Sequence, residues 1–236
     1  PGGRIYRLRL ARYVEAAETF RDFIDRRSGS EGRLRLLDVG VGRGRLIQYL
    51  DPDGALGDRL VWTGIDNDPS KLKAMQQAHR WQLHHGDIRN GLAFPDETFD
   101  MVFCEQLLEH LADPKAALAE MVRVLRTGGM FIGGVPSFPP GLDWLRRQYV
   151  SMIQRFNYYR GDHLQTFSKR SFVESCAEAG LMVRTVRGFR FVSGGPLACL
   201  GNRHGWYRLN VWAGRKLPGL CTEVQVVAIK TTGWGH

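Results

Sequence analysis

Apolar and polar positions alternate along this chain in blocks that read as strand, turn and helix in repeated succession. Apolar runs at about residues 35–40, 60–66, 81–84, 99–104 and 129–135 have the length and boundaries of buried strands. The segments between them show helical spacing, as from Pro114 to Leu125 and from Ser168 to Ala179, the latter capped by Ser168 or Ser171 and stopped by Gly180. Such alternation implies an α/β fold with a parallel, doubly wound sheet. Leu10, Tyr13, Val14, Ala17, Phe20, Phe23 and Ile24 form the apolar stripe of a leading helix. Met182–Arg187 and Glu223–Thr231 supply two last strands. The segment from Phe138 to Phe167 departs from the pattern. Leu142, Leu145, Tyr149, Met152, Ile153 and Phe156 recur there at helical spacing, with Arg146, Arg147 and Arg155 mostly off the stripe. That is an inserted amphipathic helix, which either packs on the core, covers a substrate or touches a membrane surface.

One strand carries more information than the others. Leu36-Leu37-Asp38-Val39 runs straight into Gly40-Val41-Gly42-Arg43-Gly44, and a helix-like run from Arg45 to Leu50 follows. Glycine serves where the backbone turns with positive φ or where a ligand approaches closer than a Cβ allows. Strand, glycine loop and helix make a nucleotide-type binding turn at the carboxyl edge of a parallel sheet. Arg45 stands where the dinucleotide fingerprint needs a small residue, and the P-loop pattern is missing. The second strand, Leu60 to Ile65, ends in Asp66-Asn67-Asp68-Pro69. An acidic side chain there can accept from both hydroxyls of a ribose, a role assigned to Asp66, with Asp68 left to cap the next helix.

An acidic residue two before G-x-G-x-G resembles the first motif of the class I S-adenosylmethionine (SAM) methyltransferases. The order continues in that family's manner: His84-His85-Gly86-Asp87-Ile88, then Phe99–Cys104, then Glu105-Gln106-Leu107-Leu108-Glu109-His110-Leu111, Asp113-Pro114, a helix, Arg126-Thr127-Gly128-Gly129 as a turn, and a last strand to Pro136. It resembles the small-molecule members, above all the ubiquinone-biosynthesis O-methyltransferase group, over about Leu36 to Pro136 and more weakly over Asp162 to Leu181. The resemblance implies a Rossmann-like seven-stranded sheet, mostly parallel with an antiparallel C-terminal edge strand. It implies SAM as methyl donor and S-adenosylhomocysteine as product. Asp38, Gly40, Val41, Gly42 and Gly44 would lie against the methionine and ribose portion, Asp66 and Asn67 at the ribose, Asp87 and Ile88 at the adenine, and Cys104, Glu105 and Gln106 at the methionine end. For a hydroxyl acceptor His110 and His163 are the candidate bases, since histidine titrates near neutrality. Trp144, Arg147, Tyr158 and Tyr159 of the insert are candidate acceptor contacts.

Composition narrows the class. At 236 residues with 43% apolar content the chain suits one well-buried domain, residues 1–236, carrying the insert at about 138–167. No apolar run approaches the length of a membrane span, and nothing resembles a signal peptide, although the chain begins at Pro1. Cys104, Cys176, Cys199 and Cys221 are widely spaced, with no metal-ligand pattern, as in a reducing, cytoplasmic setting. Residues 1–140 carry 19 basic and 19 acidic side chains and residues 141–236 carry 14 and 5, so the formal +9 belongs to the last stretch. That bias is a solvated basic face, or it meets an anionic or amphipathic acceptor, a membrane surface or a nucleic acid. The leading expectation is methyl transfer to a small molecule, with peripheral membrane contact allowed. An RNA methyltransferase, for which Phe189, Phe191, Trp206, Tyr207 and Trp212 interleave with basic residues, and a non-catalytic SAM-binding subunit are the alternatives.

Overall fold

The computed structural model describes residues 8–27, 32–76, 81–137, 165–191, 200 and 203–232. Residues 138–164 of the expected insert, with Trp144, Arg147, Tyr158, Tyr159 and His163, lie outside the described residues, as does Cys199. In chain order the elements are α1 (Ala11–Arg27), β1 (Leu34–Val39), α2 (Arg45–Leu50), β2 (Leu60–Asp66), α3 (Pro69–Met75), β3 (Gln82–His85), β4 (Phe99–Glu105), α4 (Pro114–Val124), β5 (Leu125–Pro136), α5 (Lys169–Glu178), β6 (Leu181–Phe189), α6 (His204–Lys216) and β7 (Glu223–Lys230).

The strands form one seven-stranded sheet in the order β3-β2-β1-β4-β5-β7-β6. β3 through β5 run parallel, and β7 is antiparallel to both β5 and β6. The antiparallel C-terminal strand is therefore present, one place in from the edge that β6 occupies. Both sheet faces are covered, which is why the central strands read as continuous apolar runs. Leu37, Val39, Val102 and Phe131 pack on one face with Leu118, Met121 and Phe172 from α4 and α5. Leu36, Met101, Phe103 and Ile132 pack on the other with Phe20, Ile24 and Leu46 from α1 and α2. Neighbours in sequence thus enter opposite cores, as the two-residue period of a strand requires.

Helix starts follow the local signals. Asp68 caps α3 by accepting from the Ser70 amide at 2.9 Å, and Asp113 caps α4 through the Ala116 amide at 3.0 Å. Both serines expected at the start of α5 act together. The Ser171 amide donates to Ser168 Oγ at 3.1 Å and the Ser168 amide to Ser171 Oγ at 3.0 Å, a reciprocal capping box.

The expected turn at residues 126–129 needs correction, because those residues lie inside β5. Leu125 pairs with Phe99 and Met130 with Met101, so four residues bulge out opposite Asp100. Asp100, 1% exposed, accepts from the Arg35 amide at 2.7 Å and from Arg126 Nη1 at 2.9 Å, which stitches β1 to the bulge. The C-terminal basic residues are likewise partly committed inside the fold. Arg215 lies 2.9 Å from Glu15 on α1, Arg187 donates to Thr19 Oγ1 at 2.8 Å, and Arg190 lies 2.9 Å from Glu223. These three cations of the basic C-terminal stretch therefore hold α1 and β7 in place.

Asp100→Ala leaves the Arg35 amide and Arg126 without their buried acceptor and should cost about 2 kcal/mol, measured by urea unfolding. An unchanged midpoint would show that the bulge holds itself.

Candidate active site

Parallel strands β1, β2 and β4 lie side by side and end at the same edge, where β1 runs into Gly40, β2 ends at Asp66 and β4 ends at Glu105. A cleft of about 470 Å³ opens there, lined by the ends of β1 to β4 and by Tyr13 of α1. Its glycine loop is tied down from β2. The amides of Gly40 and Val41 both donate to Ile65 O, at 2.8 and 3.1 Å, and the Gly42 amide donates to Asp66 Oδ2 at 2.8 Å. Gly42 has φ +55°, and a Cβ there would meet nothing nearer than Gly40 O at 3.8 Å, so the loop presents bare backbone to the cleft. Gly44, with φ +62°, differs: a Cβ would collide with Met75 of α3. Its smallness serves helix packing.

Of the sequence-derived candidates, Gly40, Gly42, Asp66, Asn67, Asp87, Ile88, Glu105, Gln106 and His110 line the cleft together. Val41, Gly44, Asp38 and Cys104 do not line it. Cys104 is 0% exposed and packs with Val39 and Val135 in the core, where burial pushes its thiol well above the usual range. The strand's period turns its side chain inward, and the next residue, Glu105, reaches the cleft. Asp38 sits beneath the loop, buried, where burial and the neighbouring Asp66 raise its carboxyl to about 8. Asp66, besides clamping Gly42, accepts from the Asp68 amide at 3.0 Å and lies 3.5 Å from Lys71 Nζ. Asp87 accepts from Arg89 Nε at 2.9 Å and from the Arg89 amide at 3.0 Å, which holds its carboxyl below the ordinary range and keeps it ionised.

At the β4 end Glu105 is buried, and burial lifts its carboxyl to about 7. Arg12 Nε of α1 lies 3.1 Å from Glu105 Oε1, and Gln225 Nε2 donates to Oε2 at 2.9 Å. Gln106 adopts φ +56°, a left-handed conformation that costs a non-glycine residue about 1–2 kcal/mol and clusters at functional sites. Its amide donates to Gly134 O at 2.9 Å, while its side-chain Nε2 is buried without a hydrogen-bond partner. The following turn, Leu108–His110, brings His110 to the cleft and buries Glu109. Both Glu109 oxygens lack a hydrogen-bond partner, burial raises the carboxyl to about 7, and Oε1 lies 3.9 Å from His110 Nε2.

Sequence reasoning missed Tyr13, Lys71, Arg89 and Glu109 as site residues. Tyr13 stood on the apolar stripe of the leading helix, and its hydroxyl, raised to about 12 by burial, carried no local signal. Glu109 stood beside His110 in the same motif and was passed over for the histidine. Among the described residues no group of three or more His, Cys, Asp and Glu side chains could hold a metal ion.

Residues 37–133 match the methyltransferase domain family. The chain is 32% identical over 113 residues to a ubiquinone biosynthesis O-methyltransferase of Aromatoleum aromaticum, a match covering 46% of each chain. With a protein of the same name from Aeromonas salmonicida it shares 27% identity over 183 residues, 72% of each. A SAM-dependent methyltransferase, possible histamine N-methyltransferase, from Thermotoga maritima superposes with a TM-score of 0.62 at 18% identity, covering 96% of this chain and 91% of that one. The cyclase SpnF superposes at 0.58 with 20% identity, covering 93% and 82%. Residues 37–133 of this chain are a methyltransferase domain of the class I SAM-dependent kind. The methyltransferases it resembles in sequence and fold use SAM as methyl donor. The cleft fits that donor: SAM carries a sulfonium and an ammonium, and the wall here is a row of buried or half-buried carboxylates with bare glycine backbone and one unpaired amide donor.

Asp38 gives this site a pH signature. Its carboxyl is raised in the folded state, so ionising it opposes folding as pH climbs from about 4 toward about 8. Asp38→Asn removes that penalty. Urea unfolding should show the variant gaining on wild type between about pH 5 and 8; a constant difference across that range would place the titration elsewhere.

Proposed function

We propose that the protein transfers the methyl group of SAM to a small-molecule acceptor, anionic or amphipathic in character. The observation that supports this best is the continuous cleft that joins a glycine loop and Asp66 at the β1–β2 edge to His110 beyond β4. When bound, the donor supplies an already activated methyl group, so the chain needs only to hold an acceptor in line and keep water out. Asp66 holds the ribose hydroxyls while its other lone pairs keep the loop closed. Asp87, ionised by Arg89, accepts from the adenine amino group, and Ile88 packs on the ring. Glu105 and Gln106 meet the methionine portion, with Asp38 behind them setting its charge environment. His110 takes the proton of a hydroxyl acceptor, and His163 is its counterpart in the insert. The insert's Trp144, Arg147, Tyr158 and Tyr159 contact the acceptor, an assignment that rests on sequence alone. An acceptor related to the quinones named for the Aromatoleum and Aeromonas proteins would combine a polar ring with apolar bulk.

The nucleic-acid alternative loses support from burial. Phe189 is buried and Trp206 and Tyr207 are half-buried, so of the aromatic side chains that read as stacking platforms only Trp212 is strongly exposed. Membership of this fold does not by itself imply methyl transfer, as its likeness to a cyclase shows.

Two measurements test the reading. Asp66→Ala removes both the ribose acceptor and the clamp on Gly42, so the SAM dissociation constant should rise about ten- to a hundred-fold, with some loss of stability. An unchanged constant would assign Asp66 to the loop alone. With methyl-radiolabelled SAM and an extract of the source cell, label should enter the small-molecule fraction and fall about a hundred-fold or more with His110→Ala for a hydroxyl acceptor. Label confined to RNA, or no label while the donor binds, overturns the proposal.

A further inference from the structure

The large apolar side chains left exposed among the described residues concentrate in one place. Leu209, Trp212, Leu217 and Leu220 are 48%, 59%, 46% and 46% exposed, and outside this stretch only Met182 joins them. Leu209 and Trp212 lie on α6, and Lys216 follows at i+7 from Leu209, so the three share one helix face. Arg208, exposed, lies one turn before Trp212. Leu217 and Leu220 continue the patch in the turn that follows the helix. Packing on the opposite side fixes this orientation. Asn210, Ala213 and Gly214 are buried, and Gly214 seats directly on the Gly188 carbonyl of β6, where any Cβ would collide. Rotation of α6 to hide Trp212 would drive a bulkier residue into that backbone.

We propose that this face of α6 docks the protein on an anionic lipid surface. The charge pattern selects the occupant. From Leu181 to Thr222 the sequence has no acidic residue, while Arg184, Arg203, Arg208 and Lys216 are all exposed; the carboxylates that approach α6 from α1, Glu15 and Glu18, act on Arg215. A tryptophan flanked by aliphatic and basic side chains is the composition that settles at a headgroup boundary, with Lys and Arg stems lying along apolar surface and their charges in water. Two copies of this chain would oppose like-charged faces, which disfavours self-association. Nucleic acid would gain little from leucines, which offer no stacking surface. No helix among the described residues is long and apolar enough to cross a membrane, so the contact is peripheral. Its purpose rests on the amphipathic-acceptor reading above; the docking itself is measured without any acceptor.

Co-sedimentation with vesicles tests it, using equimolar phosphatidylcholine and phosphatidylglycerol against phosphatidylcholine alone. The full chain should sediment with the mixed vesicles at low salt, release as salt rises, and stay in solution with the neutral ones. Leu209→Asp with Trp212→Asp should weaken binding at least tenfold. Arg208→Gln with Lys216→Gln should weaken it by about fivefold per charge. Calorimetric SAM affinity, unchanged in both variants, shows that they are folded; its loss in wild type would defeat the methyltransferase reading and leave the docking result standing. Wild type that ignores anionic vesicles, variants that bind like wild type, or a patch that captures only RNA, an acidic peptide or a second copy of the chain would overturn the proposal.

Discussion

Three carboxylates at the ends of three adjacent strands set the terms for the rest of this molecule. Asp38, Asp66 and Glu105 lie on β1, β2 and β4, and each is buried. A buried carboxylate needs hydrogen bonds, an opposite charge or a proton. Asp66 takes amides from the glycine loop and from the start of α3. Glu105 draws Arg12 and Gln225 toward it, which helps dock α1 against β7. Asp38 keeps its proton to about pH 8. The loop shape, the position of the leading helix and the acidity of the cleft are three consequences of one crowded edge.

The C-terminal basic excess has two uses. Arg187, Arg190 and Arg215 answer Glu15 and Glu223, so α1 is held by charge as well as by Phe20 and Ile24. Glu223 also lies 2.6 Å from Arg12, which makes it the hinge of an ion network between the first helix and the last strand. A pair as buried as Arg12–Glu223 contributes less to net stability than to specificity of arrangement, because desolvation offsets most of its attraction. Among the described residues Arg184, Arg203, Arg208 and Lys216 stay exposed and give this part of the surface its positive charge.

Much of this fold is legible in the sequence, for local reasons. Strand, glycine loop, helix and cap signals act over a few residues, so the caps at Asp68 and Ser168 follow from their immediate neighbours alone. The apolar runs point to the parallel sheet because both of its faces are covered. What escapes such reading is decided by partners far along the chain. Nothing near Arg215 announces Glu15, 200 residues away. Gly128-Gly129 reads as a turn, yet Asp100 pulls those residues into a bulge within β5. Cys104 and Glu105 look equally available in a motif, but alternation along β4 sends one to the core and the other to the cleft. Glu109 is buried only because the turn after β4 folds it inward.

The central claim is that this acidic edge exists to meet a cationic donor, and proton release tests it most directly. A bound sulfonium and ammonium favour the ionised forms of Asp38 and Glu105, which lowers their pKa values and expels protons. Calorimetry of SAM binding near neutral pH, in two buffers of different ionisation enthalpy, measures that number. The account predicts net proton release, larger for SAM than for S-adenosylhomocysteine, whose sulfur is uncharged, and reduced in Asp38→Asn. Identical heats in both buffers for wild type would contradict it.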